Sequence, residues 1–287
     1  MIRWRTKLIE KVERCPLCNS QHYEENRNIY IDELIEMWVS KKNFNPIPKI
    51  YVDKVLQKRE CNNCGLFYYN YHLADSEKLY ESLEDVGVYY PNFRPTYEIA
   101  RNIINEIKPQ KLLEIGSGNG SFLEYIKDNV PLVLGNEYNA KAVQLCKKKE
   151  LNVLSMPIDK VDEEFDVICH HEVLEHIFDI KLFLKNNIRL LKTGGKLIIG
   201  TPNPESILKI NGHGELHYPP HHQFDFSKKT FEWLANEYNL KIYAYQPTAV
   251  EFRHYERYCS ITGEKISYEE CNKKYTGHSH VVVFEKK

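Results

Sequence analysis

The sequence predicts an α/β fold: a doubly wound, mainly parallel sheet with a small cysteine-bearing region ahead of it. Three observations point there. Short apolar runs alternate with amphipathic helical patterns from residue 111 onward, the first run breaks into a glycine turn in LLEIGSGNGSFLEYI, and two C-x2-C pairs, CPLC and CNNCG, precede it. Strands alternating with helices specify a parallel sheet covered on both faces, which binds ligands beyond the carboxyl ends of its central strands. The 287 residues suit one large domain or one domain with a small appendage, and 42% hydrophobic content is enough to fill a core.

Composition narrows the classes further. The start, MIRWRTKLIEKVERC, lacks the apolar stretch of a signal peptide, and no segment reaches the roughly 20 apolar residues that cross a bilayer. A cytoplasmic protein with no membrane partner is expected. A formal net charge of -1 without a long single-sign block argues against a large nucleic-acid footprint, although Arg3, Arg5, Lys7, Lys11 and Arg14 make the extreme start basic.

In chain order, cysteine comes first. Cys15 and Cys18 form one knuckle and Cys61 and Cys64 a second, while Cys146, Cys169, Cys259 and Cys271 stand alone. Each knuckle lets two sulfurs reach one ion about 2.3 Å away, so the four thiolates predict a structural zinc site. A redox motif would not need a second copy, and a disulfide framework suits a secreted chain better. Between the knuckles runs a helical pattern, IDELIEMWV, which makes residues 1–75 a zinc ribbon with a helical insertion and residues 76–287 a second domain. Cys146 and Cys169 read as small core residues.

Residues 76–107 read as mostly helical, broken at VYYPNFRPTY, with Thr96 as the cap of YEIARNIINEI. Strands are expected at Lys111–Ile115, Leu132–Glu137, Val153–Met156, Phe165–Cys169, Lys196–Gly200, Lys241–Tyr245 and His280–Glu285. Helical patterns between them are SFLEYIKDN, AKAVQLCKKK, DIKLFLKNNIRLL and SKKTFEWLANEY, the last with Ser227 as its N-cap. The segment from Pro247 to Gly277 has no place in this alternation.

A glycine turn after the first strand either cradles a pyrophosphate or admits a ligand without one. The dinucleotide fingerprint is G-x-G-x-x-G, whereas Gly116, Gly118 and Gly120 give G-x-G-x-G, and Ser121 stands where the third glycine would be. Glu114 precedes the first glycine by two residues. This E-x-G-x-G-x-G resembles motif I of the class I S-adenosylmethionine (SAM) methyltransferases, and the acid in LGNEY and the later FDVICHHEVLEH follow in that family's order. The resemblance spans roughly residues 76–287 and implies a Rossmann-like, seven-stranded doubly wound sheet whose last strand is antiparallel, with SAM as the cofactor. It implies that Gly116, Gly118 and Gly120 let the backbone approach the cofactor's amino-acid end, that Glu114 serves its ammonium and that Glu137 accepts from both ribose hydroxyls. Tyr138 would cover one adenine face, Met156 would join the same pocket, and His170 and His171 would face the transferred methyl. The ribbon and the tyrosine-rich stretch after it resemble zinc-ribbon-bearing bacterial methyltransferases of polysaccharide and deoxysugar pathways. That likeness implies a small-molecule acceptor, a sugar or sugar-nucleotide hydroxyl, with carbon methylation of a keto-sugar as a variant.

On the acceptor side, Glu172, Glu175 and His176 in HHEVLEH lie at i, i+3 and i+4, which puts three possible ligands on one helical face. HYPPHHQFDF adds histidines in a later loop. E-x-x-E-H resembles a motif of the ubiquinone-pathway O-methyltransferases, and together with H-x-F it resembles the small-RNA 3′-end 2′-O-methyltransferases. Carried over, the likeness implies Glu172, Glu175, His176 and His222 as ligands of a divalent ion, with His221 competing for the last place; Mg²⁺, Mn²⁺, Fe²⁺ and Zn²⁺ all suit that donor set. Many relatives with L-E-H hold no metal, so the alternative is a metal-free site with a base among His176, His222 and His171. Asp225 reads as solvated surface, and the tyrosines near Tyr89 and Tyr90 as a lid. Methyl transfer to a small-molecule hydroxyl is the expected function. An RNA 2′-O-methyltransferase that docks RNA through its ribbon, and a silent SAM-binding scaffold, are the alternatives.

Overall fold

The computed structural model describes residues 9–47, 55–73, 79, 83 and 90–287. The basic start at Arg3, Arg5 and Lys7, the tyrosine at 89 and most of the helical stretch expected at 76–89 lie outside the described residues.

The N-terminal region runs β1 (Ile9–Lys11), β2 (Tyr23–Tyr30), α1 (Ile31–Lys42), β3 (Val55–Cys61), β4 (Leu66–Tyr69) and β5 (Tyr71–Leu73). The insertion expected between the knuckles is α1. Its Ile31, Leu34 and Trp38 form one buried stripe, and Asn43 ends it in the left-handed region at φ 58.

The second region begins with α2 (Pro95–Ile107). Proline stands at the first helical position behind Arg94, where its fixed φ and missing N–H cost nothing, so Thr96 lies inside the first turn rather than capping it. There follow β6 (Lys111–Ile115), α3 (Ser121–Ile126), β7 (Leu132–Asn136), α4 (Ala140–Lys148), β8 (Val153–Leu154), β9 (Phe165–His171), α5 (Ile180–Arg189), β10 (Leu191–Pro202) and α6 (Leu208–Asn211). The chain closes with β11 (Phe224–Phe226), α7 (Lys228–Glu237), β12 (Leu240–Pro247), α8 (Phe252–Thr262), α9 (Tyr268–Lys274) and β13 (Ser279–Lys286).

All seven expected strands join one sheet in the order β12-β13-β10-β9-β6-β7-β8, and β13 runs antiparallel to both its neighbours. β6 starts in the middle, β7 and β8 extend one way, and β9 then pairs on the other side of β6. That reversal opens a crevice at the carboxyl ends of β6 and β9, where the glycine turn and HHEVLEH begin. The helices bury one apolar cluster on each face, Ile168, Phe183, Leu197 and Phe284 on one side and Val167, Cys169, Ile103 and Phe122 on the other. Cys146 and Cys169 are buried, as expected of core residues.

The two regions share structure. β11 pairs antiparallel with β4 and so completes the sheet β11-β4-β3-β2, and Leu17, Cys61, Leu66 and Tyr68 belong to the same apolar cluster as Phe231 and Phe284. Asp225 is accordingly not solvated surface: it is buried on β11 and meets Lys58 of β3 at 2.6 Å. The segment from Pro247 to Gly277 forms α8 and α9, packed around Ile207, Val250, Tyr258 and Cys271. HHEVLEH is not an α-helix. Glu172 takes a left-handed φ of 55 and only Leu174–His176 close a 3-10 turn, so its acids do not share a helical face. No helix among the described residues is long and apolar enough to cross a membrane.

Candidate active site

The glycine turn is built by backbone geometry. Gly116, Gly118 and Gly120 have φ of 72, 51 and 77, a region L side chains rarely adopt, and the N–H groups of Gly116 and Ser117 donate to the Asn136 carbonyl at 2.8 and 3.2 Å. β7 then delivers Glu137 beside the turn. One carboxylate oxygen accepts from Gly118 N at 2.8 Å, and the other accepts from Tyr138 N at 2.7 Å and Asn139 N at 2.8 Å. Tyr138 and Met156 remain 41% and 40% exposed, although the Tyr138 hydroxyl accepts from Ile158 N and the Met156 carbonyl from Asn136 Nδ2. These links put the two apolar side chains at the same strand end. Tyr90 lies over the turn, since a Cβ on Gly118 would meet its ring at 2.8 Å.

Glu114 is buried beneath, and its Oε2 makes no hydrogen bond among the described residues. Burial pushes its pKa well above the usual range, the Glu137 charge adds to this, and Arg94 opposes it. A cation placed there, such as the ammonium expected of SAM, would satisfy the orphaned oxygen. The left-handed turn, the paired carboxylate oxygens of Glu137 and the orphaned Glu114 all fit that cofactor.

Across the crevice the acceptor-side residues converge without a helix to align them. Glu172, Glu175 and His222 offer ligand atoms all within 4.8 Å of one another, and so do His176, His221 and His222. Nε2 of His176 and of His222 lie 3.9 and 3.8 Å from Glu175 Oε1. His176 Nδ1 donates to the His221 carbonyl at 2.7 Å, and His221 Nδ1 to the Leu216 carbonyl at 2.7 Å, which fixes both rings as tautomers whose Nε2 carries the lone pair. Burial holds His176 at about 4 and His222 well below its ordinary value, so both are neutral near pH 7. Burial, then the Glu172 charge, raises Glu175, whose other oxygen accepts from Thr201 at 3.1 Å. Neutral imidazoles beside crowded carboxylates fit a divalent cation, whose charge would reverse the shift on Glu175.

Two of the expected residues lie elsewhere. His170 turns its ring to the opposite face of β9, against Phe183, so only its backbone stands at the strand end. His171 packs against Tyr97 and Phe122 with Nδ1 3.1 Å from Thr96 Oγ1, apart from the cluster of His176, His221 and His222. Two residues absent from the sequence-based expectation join the site. Half-buried Arg94 opposes its own burial through the charges of Glu172, Tyr97 and Glu175, which keep it above its ordinary pKa. Gln223 donates from its amide to the Leu73 and Pro220 carbonyls, accepts from His72, and donates its backbone N–H to the Glu175 carbonyl, so β5 reaches the cluster directly. An arginine before a proline and a glutamine after two histidines carry no motif that would have marked them.

The four ribbon cysteines also converge, with Cys15 and Cys64 sulfurs 3.5 Å apart, Cys18 and Cys61 sulfurs 3.4 Å apart, and all four within 4.8 Å. Tetrahedral zinc would set these separations at about 3.8 Å. The hydrogen bond with Cys64 lowers Cys15 to about 6, while burial raises Cys61 to about 11.

A family model described as a methyltransferase domain matches residues 93–245, and the chain belongs to that family. Ubiquinone biosynthesis O-methyltransferase of Pelagibacter ubique is 32% identical over 131 residues, which are 39% of this chain and 55% of that protein. The protein of the same name from Coxiella burnetii is 29% identical over 34% of this chain and 45% of its own length. The chain thus spans about half the length of these relatives. Among solved structures, a SAM dependent methyltransferase from Archaeoglobus fulgidus aligns with a TM-score of 0.52 at 17% identity, covering 72% of this chain and all of that one (100%). The plantazolicin methyltransferase BpumL, in complex with a pentazolic desmethylPZN analog and SAH, aligns at 0.50 and 18%, covering 74% and 92%. Both likenesses establish the fold, the Rossmann-like α/β sheet with a reversed last strand.

Proposed function

We propose that the chain transfers a methyl group from SAM to a hydroxyl of a small molecule of the sugar or sugar-nucleotide class. One observation carries this above the others: the glycine turn touches Val173, and Val173 sits between Glu172 and Glu175, so a cofactor cradle and an acid–imidazole cluster lie back to back. SAM, when bound, supplies an electrophilic methyl on a sulfonium.

The chain's own residues do the rest. Glu114 takes the ammonium, Gly116, Gly118 and Gly120 admit the methionine end, Glu137 accepts from the ribose hydroxyls, and Tyr138 and Met156 flank the adenine. A divalent ion held by Glu172, Glu175, His176 and His222, with His221 beside them, would supply Lewis acidity to the acceptor hydroxyl. Otherwise neutral His222 or His176 takes its proton. Most of the acceleration comes from holding the oxygen in line with the methyl carbon. Zinc at Cys15, Cys18, Cys61 and Cys64 is structural in this scheme, and the ribbon domain, residues 1–75, braces residues 76–287. The name shared by the ubiquinone relatives supports oxygen as the atom methylated, and the ribbon-bearing architecture supports a sugar.

The test is label transfer. Methyl-labelled SAM is incubated with the protein and separate pools of sugar nucleotides and RNA, and label is expected in the sugar pool. Transfer to RNA alone, or failure to bind S-adenosylhomocysteine (SAH) by calorimetry, overturns the proposal.

A further inference from the structure

The segment between β12 and β13 carries a third cluster of metal-ligating side chains. Glu251 caps α8, His254 lies in that helix's first turn, and His278 immediately precedes β13. Their ligand atoms all lie within 4.8 Å of one another, and the two imidazoles stand nearly perpendicular, 5.5 Å apart at 78°. Glu251 Oε1 lies 2.8 Å from His278 Nδ1.

A simple ion pair does not account for this arrangement. His278 Nδ1 is close to the carboxylate yet makes no aligned hydrogen bond among the described residues, and His254 Nδ1 is buried with no hydrogen-bond partner among them. An ion pair would leave the second imidazole unexplained, whereas a cation would engage all three groups. Arg253 holds both carboxylate oxygens, Nε at 2.9 Å from Oε2 and Nη2 at 3.2 Å from Oε1, which orients the carboxylate and leaves Oε1 a further lone pair for the histidine side.

We propose that Glu251, His254 and His278 form a divalent-cation site of the zinc type, separate from the cysteine ribbon and from the Glu172–His222 cluster. Two imidazoles and one carboxylate make a three-ligand set that zinc accepts with its fourth position open to water. Burial holds His254 at about 4, so its lone pair is available near pH 7. The side chains of Glu251 and His278 are 29% and 18% exposed, which gives the ion a path in.

Such an ion acts on the acceptor side at one remove. The His254 carbonyl accepts from Asn211 Nδ2 at 2.7 Å, and the His278 carbonyl from Asn203 N at 2.8 Å. Both asparagines lie on the connection from β10 to β11 that carries His221 and His222. The neighbouring Ser279 hydroxyl donates to Glu172 at 3.1 Å. The cation clamps α8 to the start of β13, and these carbonyl bonds tie both to that connection.

The experiment strips the full chain with chelator and titrates it with Zn²⁺ alone, counting bound ions by calorimetry and by metal analysis. His254→Ala/His278→Ala is expected to hold one ion fewer than the wild type, while Cys61→Ser loses a different one. With Co²⁺ the double variant should keep the thiolate charge-transfer absorption of the ribbon. Circular dichroism and SAH binding check that it folds. Should it not fold, Glu251→Gln decides, with the affinity of one zinc site falling about tenfold or more. Equal zinc stoichiometry in the wild type and a folded double variant, or unchanged affinities in Glu251→Gln, overturns the proposal.

Discussion

The two ends of the candidate site are built on different principles. The cofactor end comes mostly from one stretch, Glu114 to Asn139, joined by Met156, in which backbone N–H groups donate to the Asn136 carbonyl and the Glu137 carboxylate and so hold strand, turn and strand end together. The acceptor end gathers Arg94 from the start of α2, Glu172, Glu175 and His176 from the turn after β9, Thr201 from the end of β10, and His221 and His222 from the loop before β11, and it leans on the N-terminal region through Gln223 and β11. A contiguous cradle tolerates change elsewhere in the molecule. A cluster drawn from distant segments depends on every element that positions it.

The largest expected effect isolates the acceptor end. Glu175→Ala removes the oxygen toward which both imidazoles converge, and turnover should fall roughly 10²- to 10⁴-fold, the usual range for losing proton-transfer machinery. SAH affinity, measured by calorimetry, should barely move. If chelator abolishes wild-type turnover and a divalent ion restores it, the cluster is a metal site. If turnover ignores chelator and, because burial holds His176 at about 4, rises with pH below the ordinary histidine range and is level near pH 7, the cluster is a base. Retention of near-wild-type turnover by Glu175→Ala would remove the cluster from the chemistry altogether.

Acid should separate the ends next. Burial holds His72, the partner of Gln223, at about 4 against 6.5 for a free histidine. The unfolded chain therefore takes up a proton that the fold refuses, so stability is level above pH 6.5 and declines as pH falls from 6.5 toward 4. The decline attributable to this group is at most roughly 3 kcal/mol. Glu114 has the opposite sign: raised by burial, it keeps its proton above 4.5 in the fold, so its contribution grows as pH falls. Denaturation midpoints across this range, in the wild type and His72→Asn, measure the first term. An unchanged slope in the variant would refute the assignment to His72.

What the sequence revealed follows the same division. Strand positions and the glycine turn were legible because periodicity and left-handed glycines act within a few residues, whereas the reversed last strand was legible only through the family that the turn resembles. Cys15, Cys18, Cys61 and Cys64 were legible because a knuckle is local even where its partner knuckle is not. The 3-10 turn at Leu174–His176 was not, because L-E-H suits a helix until Glu172 takes its left-handed φ. Arg94 and Gln223 were invisible for a related reason: each acts through a neighbour supplied by another segment. Asp225 read as surface because nothing in FDF announces that β4 lies beside it.

Glu137→Ala tests the contiguous end at intermediate size. Losing a charge-assisted acceptor should weaken SAH by about 1.5 to 3 kcal/mol, read by calorimetry. The same carboxylate accepts from Gly118 N and Asn139 N, so some loosening of the turn will accompany it. Turnover at saturating cofactor should change little. A fall in saturated turnover as large as that of Glu175→Ala would mean the two ends are one unit.

The smallest effect bears on where the ends touch. Gly116→Ala and Gly118→Ala each force a side chain into the left-handed region, at a cost of about 1 to 2 kcal/mol. Their surroundings differ. The atoms nearest to a Cβ at Gly118 are those of the Tyr90 ring, at 2.8 Å, on the cofactor side of the turn. A Cβ at Gly116 meets Val173 Cγ2 at 2.6 Å, and a β-branched side chain cannot rotate clear without moving its own backbone. That backbone carries Glu172 on one side and Leu174–His176 on the other. Gly118→Ala should therefore weaken SAH by about 1 kcal/mol and leave saturated turnover intact, since its strain stays in the cradle. Gly116→Ala should lower saturated turnover as well, by about tenfold, the scale seen when a supporting contact of a reactive group shifts. Steady-state kinetics at saturating SAM distinguishes them. If both variants kept full saturated turnover, Val173 would transmit nothing, and the acceptor end would depend on the N-terminal region and the histidine loop alone.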